Sequence, residues 1–233
     1  MYGSIHRTVV SESEMSGHLR QVFNYMTGGI ALSGVVAWLT AASPAMMAIA
    51  TQSSTQWVFF GIWMAFAFFM HKIIFNLSAS AGLGVFVAFS ALTGFALAPI
   101  VLIYTGASII TAFVVASAMF AGASLYGYTT KKSMAGMAGI MSMVGIGLLV
   151  AIVANIFIGS SQMSFFISLA VVPFVAFATA FEMNAMKENY ATYAGDETMR
   201  SKMAILNAAG FYMNFVVMFL HLLRLLGVAR GEE

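Results

Sequence analysis

Charged positions interrupt this chain so rarely that the spaces between them set its architecture. No Asp, Glu, Lys or Arg occurs from Gln21 to His71, from Ile73 to Thr130, from Ser133 to Phe181, or from Met203 to Leu223. Inside those stretches the apolar residues run continuously and do not alternate, the pattern of membrane helices and not of a barrel. A crossing helix needs about 20 residues at 1.5 Å each. The first three stretches therefore hold two spans apiece and the last holds one. Each long stretch also contains the small, polar or proline-bearing cluster that its internal turn requires: Ser43-Pro44 and the run Thr51 to Gln56, then Pro99 to Ser108, then Gly159 to Gln162. The predicted spans are 21–43, 56–76, 80–103, 107–127, 134–158, 163–184 and 203–227. They form one all-α membrane domain over 21–227, between a polar tail (1–20) and a short tail (228–233).

Composition agrees with this reading. The chain is 61% hydrophobic and 8% charged, with mean hydropathy +0.92, against about 25% charged residues in a soluble domain. Eighteen charged side chains cannot coat a water-soluble globule of 233 residues. A disordered chain is excluded by the same numbers, and the absence of cysteine excludes a disulfide scaffold. Residues 1–20 contain Arg7, Glu12, Glu14, His18 and Arg20 without an apolar core, so they are expected to form a polar tail and no cleaved signal.

The distribution of Lys and Arg predicts orientation. With seven spans, one side receives the N-terminus and the second, fourth and sixth loops, and with them Arg7, Arg20, Lys72, Lys131, Lys132, Lys187, Arg200 and Lys202. Only Arg224 and Arg230 fall on the other side. The excess predicts a cytoplasmic N-terminus (matrix, for an organelle) and an outer C-terminus. A bacterial inner membrane is the expected location, with the mitochondrial inner membrane as the alternative.

Lipid tails are as apolar as leucine, so spans must associate through close packing of small residues and a few hydrogen bonds. Ala118 with Gly122, and Ala135 with Gly139, supply small residues at four-residue spacing, and Gly145 and Gly147 extend the second set. The last span is distinctive. Asn207, Asn214 and His221 recur every seven residues, nearly two helical turns, and line one stripe near Gly210 and Arg224. Such a stripe is costly against lipid and is expected to face protein or water, which makes this helix central.

Enzyme readings find little support. There is no cysteine nucleophile, His-Glu-x-x-His string or Gly-x-Ser-x-Gly string. No lysine lies inside the last span to carry a retinal Schiff base. The expectation is a non-enzyme without a cofactor, whose partners are the bilayer and small cations or another membrane complex, with no nucleic acid.

Three strings in register add a resemblance. Gly127-Tyr128-Thr129-Thr130-Lys131-Lys132 follows the fourth span, Ser90-Ala91-Leu92-Thr93-Gly94 lies in the third, and Gly210-Phe211-Tyr212-Met213-Asn214-Phe215 leads to Phe219-Leu220-His221-Leu222-Leu223-Arg224 in the last. The chain resembles the Bax inhibitor family of seven-helix membrane proteins, nearest its compact bacterial branch. The resemblance implies six helices around a central seventh and a pH-sensitive calcium leak gated by two facing carboxylates. In this chain Phe181-Glu182-Met183-Asn184 matches the first acid's motif, and Asn214 stands at the second acid's position. The pair is reduced to a carboxyl beside an amide. Two buried carboxylates in contact titrate as a coupled pair, and a lone glutamate does not. Calcium prefers six to eight oxygens, several from carboxylates, and here Glu182 is the sole carboxylate for a metal. The expectation is altered gating with weak or absent calcium selectivity. The alternative function is a non-conducting partner that modulates or stabilises a membrane protease or respiratory complex.

For single residues two readings stand side by side. Glu182 is a pore acid, or an interfacial acid five residues before Lys187. Asn214, with Asn207 on its stripe, lines the site or glues helices together. His221 replaces the lost pH sensitivity, or is a satisfied structural histidine. His71 is expected at the interface, Arg224 snorkelling to headgroups, and Lys131 and Lys132 as orientation signals.

Overall fold

A computed structural model describes residues 12–227. Nine α-helices follow in order: α1 (Glu12–Ala42), α2 (Pro44–Ala50), α3 (Ser53–Asn76), α4 (Ala79–Leu97), α5 (Ile100–Ile103), α6 (Gly106–Thr129), α7 (Ala138–Ile158), α8 (Ser161–Tyr193) and α9 (Glu197–Leu226), with a 3-10 turn at Ala135–Met137. Among the described residues there is no strand. Seven helices are long and apolar enough to cross a membrane, α4 with α5 and the 3-10 turn with α7 each counting as one.

The breaks fall at the predicted clusters, and at three of them a hydroxyl caps the next helix, as Ser78 and Asp196 do at the charged loops. Ser43, Ser78, Thr105, Ser160 and Asp196 each precede a helix and accept a hydrogen bond from the backbone N–H three residues on. Each cap satisfies a donor that the first helical turn leaves unpaired. Gly159 ends α7 with φ +70°, a left-handed conformation that favours glycine.

Helix boundaries extend beyond the predicted ones at the charged end. Residues 12–20, expected as polar tail, are helical, because Met15, His18, Val22 and Met26 recur at three- and four-residue spacing and are buried. The remainder of both expected tails, 1–11 and 228–233, lies outside the described residues. Likewise α8 runs to Tyr193 and α9 begins at Glu197.

The last helix carries the largest buried share of any span, 56% of its apolar window. It packs against α8, α6, α1, α4 and α3. The expected sheath of six helices around it is lopsided. The fifth span, α7, packs mainly on α8 and has no buried residue.

The small-residue contacts also fall elsewhere than expected. Gly122, Gly139 and Gly147 have open space where a side chain would stand, and Gly145 touches only the Phe174 ring. The close backbone approaches are at Gly94, against Ser33 of α1, and at Gly127, against the Ala180 carbonyl of α8. The α1–α4 contact is reinforced by polar groups. Ser33 Oγ lies 2.7 Å from the Ser90 carbonyl and 2.7 Å from the Tyr212 hydroxyl of α9. These hydroxyls have no water to turn to, so they pair across helices and fix the register of α1, α4 and α9.

Candidate functional site

Helices α8 and α9 run antiparallel after a short turn, and their contact is the most extensive in the molecule. The polar stripe of α9 faces α8 along this seam. Glu182 of α8 lies against Gly210, where a methyl group would come 3.1 Å from Oε2. The absence of a side chain at position 210 makes room for the carboxyl. Asn214, one turn further along α9, faces the same carboxyl. Its Nδ2 is buried without a partner in hydrogen-bonding geometry.

Glu182 opens onto a cavity of about 200 Å³ between α8 and α9, which Asn189, Asn207 and Gly210 also line. His71, at the end of α3, borders the same cavity, so this residue expected at the interface also faces the site. Asn207 lies further toward the charged end, near Tyr193, and its Nδ2 also lacks a partner. A carboxyl and amide groups around a small space can hold water or a desolvated cation through oxygen atoms. Among the described residues no group of three His, Cys, Asp or Glu gathers around any point. A metal here would have Glu182 alone as a charged ligand.

His221 belongs to a different place. Its Nδ1 lies 2.9 Å from Ser168 Oγ, beside a second cavity that Asn155, Ser164 and Arg224 also line. Eleven residues separate it from Gly210, about 16 Å along the helix. The stripe thus faces a single neighbour but serves two sites. Glu182, Asn214 and Asn207 come together, and His221 does not join them.

The string after the fourth span has a structural role as its helix ends. Asn184, buried on α8, accepts a hydrogen bond from the Met134 N–H (2.9 Å) and donates to the Lys132 carbonyl (3.3 Å). Lys187 donates to the carbonyls of Tyr128 and Thr130, each at 2.7 Å. A cation bonded to carbonyls at a helix C-terminus offsets both the unpaired oxygens and the dipole. Gly127 permits the approach, Tyr128 is exposed with Lys187 6.0 Å from its ring centroid, and Lys131 is exposed. From sequence, Asn184 belongs to the Glu182 motif and Lys187 to the orientation signals, and neither is given this loop-holding role, although an amide two residues after Glu182 in an apolar span was the available signal. His18 was also missed, having been placed in the tail. Its ring packs with those of Tyr190 (5.0 Å) and Tyr193 (5.7 Å), and both its nitrogens are buried without a partner.

These contacts assemble loops at one end of the bundle. Lys187 ties the sixth loop's side to the fourth, and Lys202 donates to the Phe75 carbonyl (2.9 Å) at the second. The loops grouped by the lysine count do lie together.

Comparison with known proteins agrees with this architecture. The family described as Inhibitor of apoptosis-promoting Bax1 matches residues 15–231. Inner membrane protein YbhL of Escherichia coli is 33% identical over 216 residues, covering 91% of this chain and 92% of YbhL. Protein RP147 of Rickettsia prowazekii is 33% identical over 215 residues, covering 91% and 90%. YrjE of Lactococcus lactis is 28% identical over 221 residues, covering 94% of each. With seven membrane-length helices and a match across nearly its whole length, the chain belongs to the Bax inhibitor family.

Proposed function

We propose that the protein is a multi-pass inner-membrane cation leak, gated where Glu182 of α8 meets Gly210 and Asn214 of α9. One observation carries this reading: the only acidic side chain in the middle of the α8–α9 seam opens onto a cavity at the charged end of the bundle. An acid placed at that depth is expensive unless hydrated or paired, so its retention points to function. Beyond Asn214 the buried residues of the two helices are largely apolar, Val171, Val172 and Val175 of α8 and Met218 of α9 among them. The gate is shut in this conformation, and conduction requires α8 and α9 to part at Asn214.

A single carboxylate with amide oxygens is a poor calcium site. Protons and monovalent cations are the proposed cargo, with calcium carried weakly. Asn214 adds no second titrating group, so the response to pH is that of one carboxyl and not of a coupled pair. The lysine-rich end is cytoplasmic in this reading, which makes the Glu182 cavity a cytoplasmic vestibule.

The role is transport without chemical turnover. The Ser168–His221 contact has the composition of a nucleophile and base, but Ser168 is fully buried and its hydroxyl is 2.9 Å from the Ser164 carbonyl. The Ser168 hydroxyl is not exposed to the neighbouring cavity.

Flux measurements in proteoliposomes test the reading. Glu182→Gln is expected to lower proton or potassium flux about tenfold while the protein stays folded. Equal flux from native and variant protein would remove the gate. A second reading, a non-conducting partner of another membrane complex, draws on α7, whose face away from α8 is left to lipid or to a neighbour. It predicts no flux from either protein and co-purification that is lost when α7 is altered.

A further inference from the structure

Helices α1 and α6 flank α9 but leave a furrow between them, open to the side of the bundle. Two cavities of about 530 Å³ each lie along it and share Ile30, Phe113 and Phe215. Together they follow α1 from Leu19 to Ala42, about 35 Å of helix, the depth of a bilayer. Over that length the two cavities form a narrow apolar slot, which suits a hydrocarbon chain better than a second helix about 10–12 Å across.

The two ends of the furrow differ. At the charged end its wall holds Ser124, which is 6% exposed and whose hydroxyl has no hydrogen-bond partner. Ser117 and Thr129 of the same helix each donate to the carbonyl four residues back, and Ser124 does not. Its donor is left available beside the furrow. Ser124 lies five residues, about 7.5 Å, inside the end of α6, in the half of the helix nearer the charged end. At that same end Arg20 follows Leu19 on one lip, and Lys131 and Lys132 follow α6 on the other, all exposed. No acidic residue stands on α6 or on the segment that follows it up to Lys132.

We propose that the α1–α6 furrow is a binding site for one anionic phospholipid of the cytoplasmic leaflet. One acyl chain lies along Phe23, Ile30 and Phe215, an ester oxygen accepts from Ser124 Oγ, and the headgroup phosphate sits between Arg20 and Lys131. Basic residues at the cytoplasmic mouth of a cleft between spans are the recurring chemistry of such sites. The site is separate from the Glu182 cavity and does not depend on the leak being real.

Native mass spectrometry of the detergent-purified full chain, titrated with phosphatidylglycerol or with phosphatidylcholine of the same acyl chains, tests this. The native protein should retain one phosphatidylglycerol at least tenfold more readily than phosphatidylcholine. The double variant Arg20→Gln with Lys131→Gln should lose that preference and still bind either lipid. Ala121→Phe, which fills the furrow, should retain neither, and Ser124→Ala should lower retention of both several-fold without affecting folding. Equal retention of the two lipids by native protein overturns the proposal. So does undiminished retention in Ala121→Phe, or a second copy of the chain in place of the lipid.

Discussion

Gly210 and Gly127 are both glycines in membrane helices, and what stands opposite each gives them different consequences. At Gly210 an added methyl would press on a carboxyl that can shift by a few tenths of an ångström. Gly210→Ala should therefore leave the fold intact and change cation flux several-fold, measured against native protein in the same vesicles. At Gly127 the methyl would meet the Ala180 backbone, which cannot move without α8. Gly127→Ala should cost about 1–3 kcal/mol of stability, as overpacking does, read by thermal unfolding in detergent. Gly122→Ala, facing open space, should be neutral or slightly stabilising, because alanine favours helix over glycine. Asn214 belongs to the same scale. Asn214→Asp places two carboxyls face to face, and flux should then titrate in two steps where native protein titrates in one. A profile unchanged from native protein would mean that position 214 does not face the gate in the conducting state.

Between elements, buried amides and lysines do what hydrophobic contact cannot do in lipid. Asn184 holds the end of α6 and the chain after it through three polar groups of the backbone, the Gly127 and Lys132 carbonyls and the Met134 N–H. Replacing it with leucine leaves a buried N–H and carbonyls without partners, a loss of about 1–3 kcal/mol for each group orphaned. Faster proteolysis at 130–134 in Asn184→Leu would report this loss. Where α9 meets α8, His221 and Ser168 should show a coupling of about 1 kcal/mol in a double-mutant cycle. Neither substitution should alter the pH response of flux, since that pair is remote from Glu182. The seven-residue recurrence of Asn207, Asn214 and His221 was visible in the sequence, and in the structure the stripe lies along α8. It did not reveal that its members divide between two cavities, because helical periodicity reports a shared face and not what the opposing helix presents at each level.

For the whole molecule, lysines that bridge loops make the orientation testable. The chain has no cysteine, so single cysteines at Thr130 and Ser160 can be labelled from either side of oriented membranes. Thr130→Cys should react only from the cytoplasm and Ser160→Cys only from outside. Inverted labelling would place the Glu182 cavity on the outer face.

Span number, breaks and charge grouping were legible without coordinates, because a bilayer imposes one length and one polarity on every crossing, and each residue obeys that constraint independently of its neighbours. The start of α1 was misread because Met15, His18 and Val22 become a buried face only when Tyr190 and Tyr193 of α8 lie opposite. Close backbone approach settled on Gly94 and Gly127 instead of the better-spaced Gly122 and Gly139 for a related reason. Proximity is a property of two helices, and one helix's spacing cannot specify it. Glu182 stood out as an intramembrane acid from its residue type alone; its glycine recess, its cavity and its distance from His221 arise from the antiparallel fit of α8 against α9, which only the folded bundle decides.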